Sequence, residues 1–335
     1  MTTENQTNPV NSTIASEFGS MLIPPAPPEF RSGFVGIIGR PNVGKSTLMN
    51  YLVGQKIAIT SPVAQTTRNR LRGILTTPQA QIIFVDTPGI HKPHHQLGEV
   101  LVKNAQIAIR SVDVLLFVVD GSVDMGGGDR FIADLLQNCE IPIVLGINKA
   151  DQQEPDEPST DLSPNFPTSF LDRAYCDLAA AHQWTVTKFS ALTGEGLEPL
   201  QEHLIQHLEP GPYYYPPDLI TDQPERFIMG ELIREQILLL TREEVPHSVA
   251  IAIDRVEEAP KITRILATIH VERDSQKGIL IGKQGSMLKA IGSAARQQIQ
   301  KLIEGNVYLE LFVKVQPKWR QSRTQLAELG YRVEE

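Results

Sequence analysis

The sequence predicts an α/β fold in two parts. A domain with a mostly parallel sheet and helices on both faces comes first, and a smaller α+β domain follows. Three observations predict this. Gly39-Arg40-Pro41-Asn42-Val43-Gly44-Lys45-Ser46 fits G-x-x-x-x-G-K-[ST] and stands between an apolar strand pattern and an amphipathic helix pattern. Near-continuous apolar runs such as Asp113–Val119 and Ile141–Ile147 then alternate with helical patterns, as strands buried on both faces do. Finally, Gly282-Lys283-Gln284-Gly285 joins two helical stretches inside a basic C-terminal third.

A chain of 335 residues is too long for one ordinary domain. No apolar run is long enough to span a bilayer, and the N-terminus shows no basic region followed by an apolar core, so neither membrane insertion nor a signal peptide is expected. Cys139 and Cys176 sit in no ligand-like spacing, which suits a reduced, cytoplasmic compartment. The net charge of −8 is uneven. From Lys261 onward 13 basic and 7 acidic residues give +6, while the remaining 18 basic and 32 acidic residues give −14. A basic module on an acidic body is the electrostatic footprint of nucleic-acid binding.

Residues 1–30 are rich in Thr, Asn, Ser and Pro and read as a disordered tail. The first domain, 31–210, opens with the strand Phe34–Ile38 and the helix Thr47–Val53. Further strands are expected at Gln81–Val85, Asp113–Val119, Ile141–Ile147 and Trp184–Phe189, with helices at Asp129–Gln137 and Leu171–His182. Residues 152–169, rich in Pro, Asp, Glu and Ser, read as an acidic insertion. Residues 211–223 read as a linker. The second domain, 224–316, is expected to run helix (224–241), strand (248–256), strand (264–271), apolar helical segment, G-x-x-G, helix (286–304) and strand (306–315). A helix and tail at 317–335 end the chain.

The chemistry follows from the motifs. Glycines let the backbone of Gly39–Ser46 turn its N–H groups onto phosphate oxygens, and the helix N-terminus adds partial positive charge. Lys45 can reach the β- and γ-phosphates, and the Ser46 hydroxyl can hold Mg2+. Asp86-Thr87-Pro88-Gly89 is D-x-x-G at a strand end, where Asp86 can hold Mg2+ through water and the Gly89 N–H can touch a γ-phosphate. A threonine ligand to the metal is expected between these motifs. Gln65-Thr66-Thr67-Arg68-Asn69-Arg70 offers Thr67, with Thr66 as the second choice. Asn148-Lys149-Ala150-Asp151 is N-K-x-D after a strand. The Asp151 carboxylate can accept from both guanine N1–H and N2–H2, a pair adenine does not offer. Ser190-Ala191 follows another strand end, where the Ala191 N–H can meet guanine O6. The pattern therefore predicts a site for GTP and GDP.

Ile90 stands where many GTPases place a glutamine that orients water. Isoleucine cannot hydrogen bond there, so slow hydrolysis is expected and no catalytic base is assigned. Asn42 becomes a candidate K+ ligand. His91, His94 and His95 read as part of a mobile loop rather than a metal site, and His203 and His207 as a solvated helix face. In the second domain, a G-x-x-G between helices admits a nucleic-acid backbone, as in KH modules. Lys277, Lys283, Lys289 and Arg296 lie around it.

From about Phe34 to Tyr331 the chain resembles the Era family, bacterial GTPases with an N-terminal Ras-like domain and a C-terminal type II KH domain. The resemblance rests on Gly39–Ser46, Thr66-Thr67-Arg68, Asp86–Gly89, Asn148–Asp151, Ser190-Ala191, Thr221–Phe227, Gly282–Gly285 and the Trp319 tail. It implies a monomeric GTPase that binds 16S rRNA near its 3′ end, serves maturation of the small ribosomal subunit, and associates peripherally with the inner membrane. Three other readings stay open. One is a membrane-linked signalling GTPase whose second domain docks protein. Another is a tRNA-modification GTPase, a class that would carry a C-terminal cysteine. The third is an RNA-binding protein with an inert nucleotide domain.

Overall fold

The structure is a computed structural model that describes residues 23–61, 71–86, 111–153, 170–246, 248–303 and 305–329. The first sheet is built from β1 (Arg31–Ile38), β2 (Leu71–Thr76), β3 (Ala80–Asp86), β4 (Val114–Asp120), β5 (Ile143–Asn148) and β6 (Thr185–Lys188). Its order is β2-β3-β1-β4-β5-β6, with β2 antiparallel to β3 and every other pair parallel. Every residue of β3, β4 and β5 is buried, as their apolar runs require. The helices are α1 (Lys45–Val53), α2 (Gly127–Leu136), α3 (Phe170–His182) and α4 (Leu197–His207).

β2 is an addition to the expected strands. Its sequence Leu-Arg-Gly-Ile-Leu-Thr alternates weakly, and only pairing with β3 across the Thr77–Gln79 turn makes it a strand. The histidines of α4 also correct the expectation of a solvated face. His203 Nδ1 lies 2.6 Å from Thr187 Oγ1, and His207 Nε2 lies 3.5 Å from Thr185 Oγ1, so both rings pair with hydroxyls of the edge strand β6. Gln153, assigned to the insertion, belongs to the fold instead. Its amide donates to Asp172 Oδ1 at 2.8 Å and to the Gly121 carbonyl.

The second domain contains α5 (Glu225–Leu240), β7 (Ala250–Ala259), β8 (Ile262–Val271), α6 (Asp274–Ile281), α7 (Ser286–Ile299), β9 (Asn306–Val315) and α8 (Arg323–Glu328). The sheet order is β7-β8-β9, antiparallel then parallel. Inward residues of β8 and β9 (Ile265, Ala267, Ile269, Val307 and their neighbours) pack on Ile228, Leu232, Ile233 and Ile237 of α5 and on Ile291, Ala295 and Ile299 of α7. The C-terminal helix is shorter than expected. Residues Trp319–Gln321 form a tight 3-10 turn because the Trp319 ring is buried and its indole N–H donates to the Ser248 carbonyl at 3.1 Å.

The segment read as a linker is bonded along the first domain. Gln81, fully buried in β3, accepts from the N–H groups of Tyr214 (2.8 Å) and Tyr215 (3.0 Å) and donates to the Tyr215 carbonyl (2.9 Å). The Ile74 N–H donates to the Ile220 carbonyl, the Thr221 hydroxyl to the Arg72 carbonyl, and Arg72 pairs with Asp222 at 2.7 Å. Glu235 of α5 makes the closest tie between the domains. It accepts from Lys56 Nζ (2.5 Å) and from the Thr60 N–H (2.8 Å). Composition alone reads Pro and Tyr here as a hinge, whereas the exposed edge of β2 and the buried Gln81 supply partners for its backbone.

Candidate guanine nucleotide site and RNA-binding surface

The nucleotide motifs meet at the C-terminal edge of the sheet. β1 is flanked by β3 and β4, so the chain leaves it in opposite directions, and the crevice at such a switch point is where α/β sheets bind ligands. Ile37 of β1 is level with Asp86 of β3, and Asp120 of β4 with Asn148 of β5. These registers align Gly39–Ser46, Asp86 and Asn148–Asp151 along one rim.

Gly44 caps α1 with φ 99°, a left-handed conformation that favours glycine, and a Cβ there would lie 2.2 Å from Asn148 Nδ2. The same Asn148 amide donates to the Val43 carbonyl at 2.7 Å, so the base-reading loop braces the phosphate loop. Asn148 Oδ1 accepts the Ala191 N–H at 2.8 Å. The N–H expected at guanine O6 is thus already engaged within the loop. Asp151 is exposed on the turn after β5 and accepts from the Ser190 hydroxyl. Lys149 reaches back to Asp120 at 2.5 Å. Burial works against the Asp120 charge, but its bonds to Lys149 and Ser122 prevail and hold its carboxyl below the usual range.

At the other end, Lys45 Nζ is buried and donates to the carbonyls of Gly39 (3.1 Å) and Arg40 (2.8 Å). Burial pulls its pKa down to about 8, against the raising influence of Asp86. Phosphate binding favours the ammonium, so below pH 8 the charge is already present, and above it the nucleotide must recruit the proton. GDP affinity is therefore expected to fall between pH 8 and 9 by up to about tenfold. Calorimetric titration at pH 7, 8 and 9 measures this, and a flat profile contradicts it.

Ser46 Oγ lies 3.3 Å from Asp86 Oδ2. Two hard oxygen donors at the phosphate end suit Mg2+. Thr66, Thr67, the Thr87–Ile90 stretch and His91, His94 and His95 lie outside the described residues. Among the described residues no group of three His, Cys, Asp or Glu side chains is placed to hold a metal ion.

In the second domain, G-x-x-G joins α6 to α7. Gly282 has φ 71° and Gly285 φ 76°, and a Cβ on Gly282 would lie 2.8 Å from Met287 Cβ. Gln284, with φ 52°, is the non-glycine residue strained into this turn. Lys283, Gln284, Lys289 and Arg296 are exposed and Lys277 is half-buried, on the loop and adjoining helices. These residues lie on the elements expected of them, and Asn148 braces the loop as its place in N-K-x-D suggests, but its partner Val43 and the Lys149–Asp120 pair join distant segments that no local pattern announces.

Comparison with known proteins decides the family. Residues 34–149 match the family described as 50S ribosome-binding GTPase, and residues 244–320 match the KH domain family. The chain is 74% identical to GTPase Era of Nostoc sp. over 335 residues, covering 100% of both chains. The chain belongs to the Era family of GTPases. GTPase Era of Rippkaea orientalis is 69% identical over 312 residues, covering 93% of this chain and 96% of that one. Among solved structures, an Aquifex aeolicus Era variant bound to GDP and AlF4− matches with TM-score 0.80 at 36% identity, covering 91% of this chain and 100% of that one. Era bound to MgGDPNP and nucleotides 1506–1542 of 16S ribosomal RNA matches with TM-score 0.79 at the same identity and coverage. The expected Era-family arrangement, a P-loop GTPase domain followed by a KH domain, is the one observed. Among the described residues no helix is long and apolar enough to cross a membrane.

Proposed function

We propose that this GTPase binds the 3′ region of 16S rRNA through its KH domain and acts in assembly of the small ribosomal subunit. The observation that carries this reading is the G-x-x-G turn between α6 and α7, with exposed Lys283, Lys289 and Arg296 around it, on a chain whose solved relative holds that RNA. Mg2+ is held by Ser46 and Thr67 and, through water, by Asp86. Gly39–Ser46 takes the phosphates, with the Gly89 N–H at the γ-phosphate, and Asp151 takes the base in a loop that Asn148, Ser190 and Ala191 hold together through their own hydrogen bonds. The group supplies charge neutralisation at the phosphates. The protein is a cytoplasmic monomer with peripheral inner-membrane association.

The nucleotide state reaches the KH domain through the bonded segments on either side of Thr67, namely Thr60–Glu235 and Arg72–Asp222, rather than through a free linker. Asn42, in the left-handed region with φ 65°, holds K+ in place of the water-orienting glutamine that Ile90 replaces. Turnover in K+ is then faster than in Na+, and equal rates exclude the cation.

The RNA reading is tested with Lys283→Asp combined with Gln284→Asp. Reversing the loop charge should weaken binding of a 16S 3′ fragment by about tenfold or more, with a shallower salt slope, at unchanged GDP affinity. Retained RNA affinity in a gel-shift titration would favour protein docking instead.

A further inference from the structure

Asp129 is a fully buried carboxylate that no nucleotide motif contains. It lies in the first turn of α2. One oxygen accepts from Arg40 Nε at 2.6 Å, and the other from the Tyr175 hydroxyl at 3.2 Å and the Gly126 N–H at 3.0 Å. Arg40 is the second residue of the phosphate loop, and its carbonyl is one of the two that hold Lys45 Nζ. Gly128 leaves room for this crossing, because a Cβ there would lie 2.6 Å from Arg40 Cδ. The Tyr175 phenol is pushed well above its usual range by burial and then by the Asp129 charge. It therefore stays a hydroxyl that donates.

We infer that Asp129 is a positioning residue for GTP binding: through Arg40 it fixes the peptide that holds Lys45, and so the shape in which the loop receives the β- and γ-phosphates. A short charge-assisted bond to a carboxylate that is itself fixed by two further donors leaves the Arg40 side chain one position. That side chain is fixed to the same residue whose main chain turns into the loop. A displacement of about 1 Å in a binding group costs on the order of 10²-fold, so a brace on the loop has a measurable effect. Because the loop contacts phosphate in both ground and transition states, loosening it should raise KM more than it lowers kcat.

The inference rests on the P-loop reading of Gly39–Ser46, and Lys45→Ala serves as the control for that reading. If Lys45→Ala leaves GTP affinity intact, the P-loop reading itself fails. If Lys45→Ala loses affinity, Asp129 is judged on its own. Asp129→Asn keeps the size and removes the charge. It is expected to raise KM for GTP and Kd for GDP about tenfold with kcat within twofold. Arg40→Ala should do the same, and Arg40→Ala with Asp129→Asn should be no worse than either alone. Gly128→Ala provides an independent arm, because alanine favours the helix while its methyl displaces Arg40. It should raise KM with a thermal midpoint no lower than that of Arg40→Ala, since the guanidinium is displaced and not removed, and it decides the matter if Asp129→Asn does not fold. An unchanged KM in Asp129→Asn or in Gly128→Ala, or additive effects in the double variant, overturns the inference.

Discussion

Asp151→Asn is expected to lower the preference for GTP over ATP by about 10³-fold or more. Guanine presents N1–H and N2–H2 side by side, and a carboxylate accepts both. An amide accepts one and points its own NH2 at the other, so one guanine donor is left facing a donor. The rest of the site should survive. Ser190 can still donate to the remaining oxygen, and Asn148 and Lys149 are held by Val43, Ala191 and Asp120, not by Asp151. Xanthine has an N–H and a carbonyl at the same two places, which an amide matches, so xanthosine nucleotides should gain affinity. Competition of GDP, XDP and ADP against a fluorescent nucleotide gives the ratios. An unchanged guanine preference would mean that Asp151 does not read the base.

Glu235→Ala is the second large expected effect. The Glu235 side chain is 1% exposed and Lys56 33%, so the pair is buried at one end only. Removing the carboxylate leaves the Thr60 N–H and the Lys56 amine without their acceptor. Loss of one partner of a buried pair costs 3–5 kcal/mol, and the partial exposure of Lys56 puts this one near the lower end, at about 3 kcal/mol. Calorimetry should show a lowered melting temperature and, because this tie and the Arg72–Asp222 pair join the domains, separated transitions for the two. Glu235→Gln should lose less, since an amide oxygen can still accept from Thr60. A single transition at the parent temperature would show that the tie contributes nothing measurable.

Glu235 also marks the limit of sequence reading. A glutamate in an amphipathic helix is ordinarily solvated, and nothing in Leu232-Ile233-Arg234-Glu235-Gln236-Ile237 announces that Thr60 will lie against it. Gln81 is the same case. A polar residue in an apolar strand carries no local sign of its partner, yet its amide holds Tyr214 and Tyr215 and docks the segment read as a linker. Asp129 was legible only as the acidic start of a helix. Each of these depends on a partner more than 80 residues away in the chain, which no local pattern encodes.

The sequence by itself determined the nucleotide chemistry, because phosphate and guanine recognition are local. Each motif follows one apolar run in the sequence, with glycines and side chains set by spacing. It determined the order of the described elements other than β2 for the same reason, since apolar periodicity is a local record of which face is buried. Only the tertiary structure decided that β2 completes the sheet, that His203 and His207 face the hydroxyls of β6, that residues 213–222 lie bonded to β2 and β3, and that Asp129 braces the phosphate loop through Arg40. Those outcomes are settled by burial and by the need of each buried donor and acceptor for a partner, and such partners are found across the fold rather than along the chain.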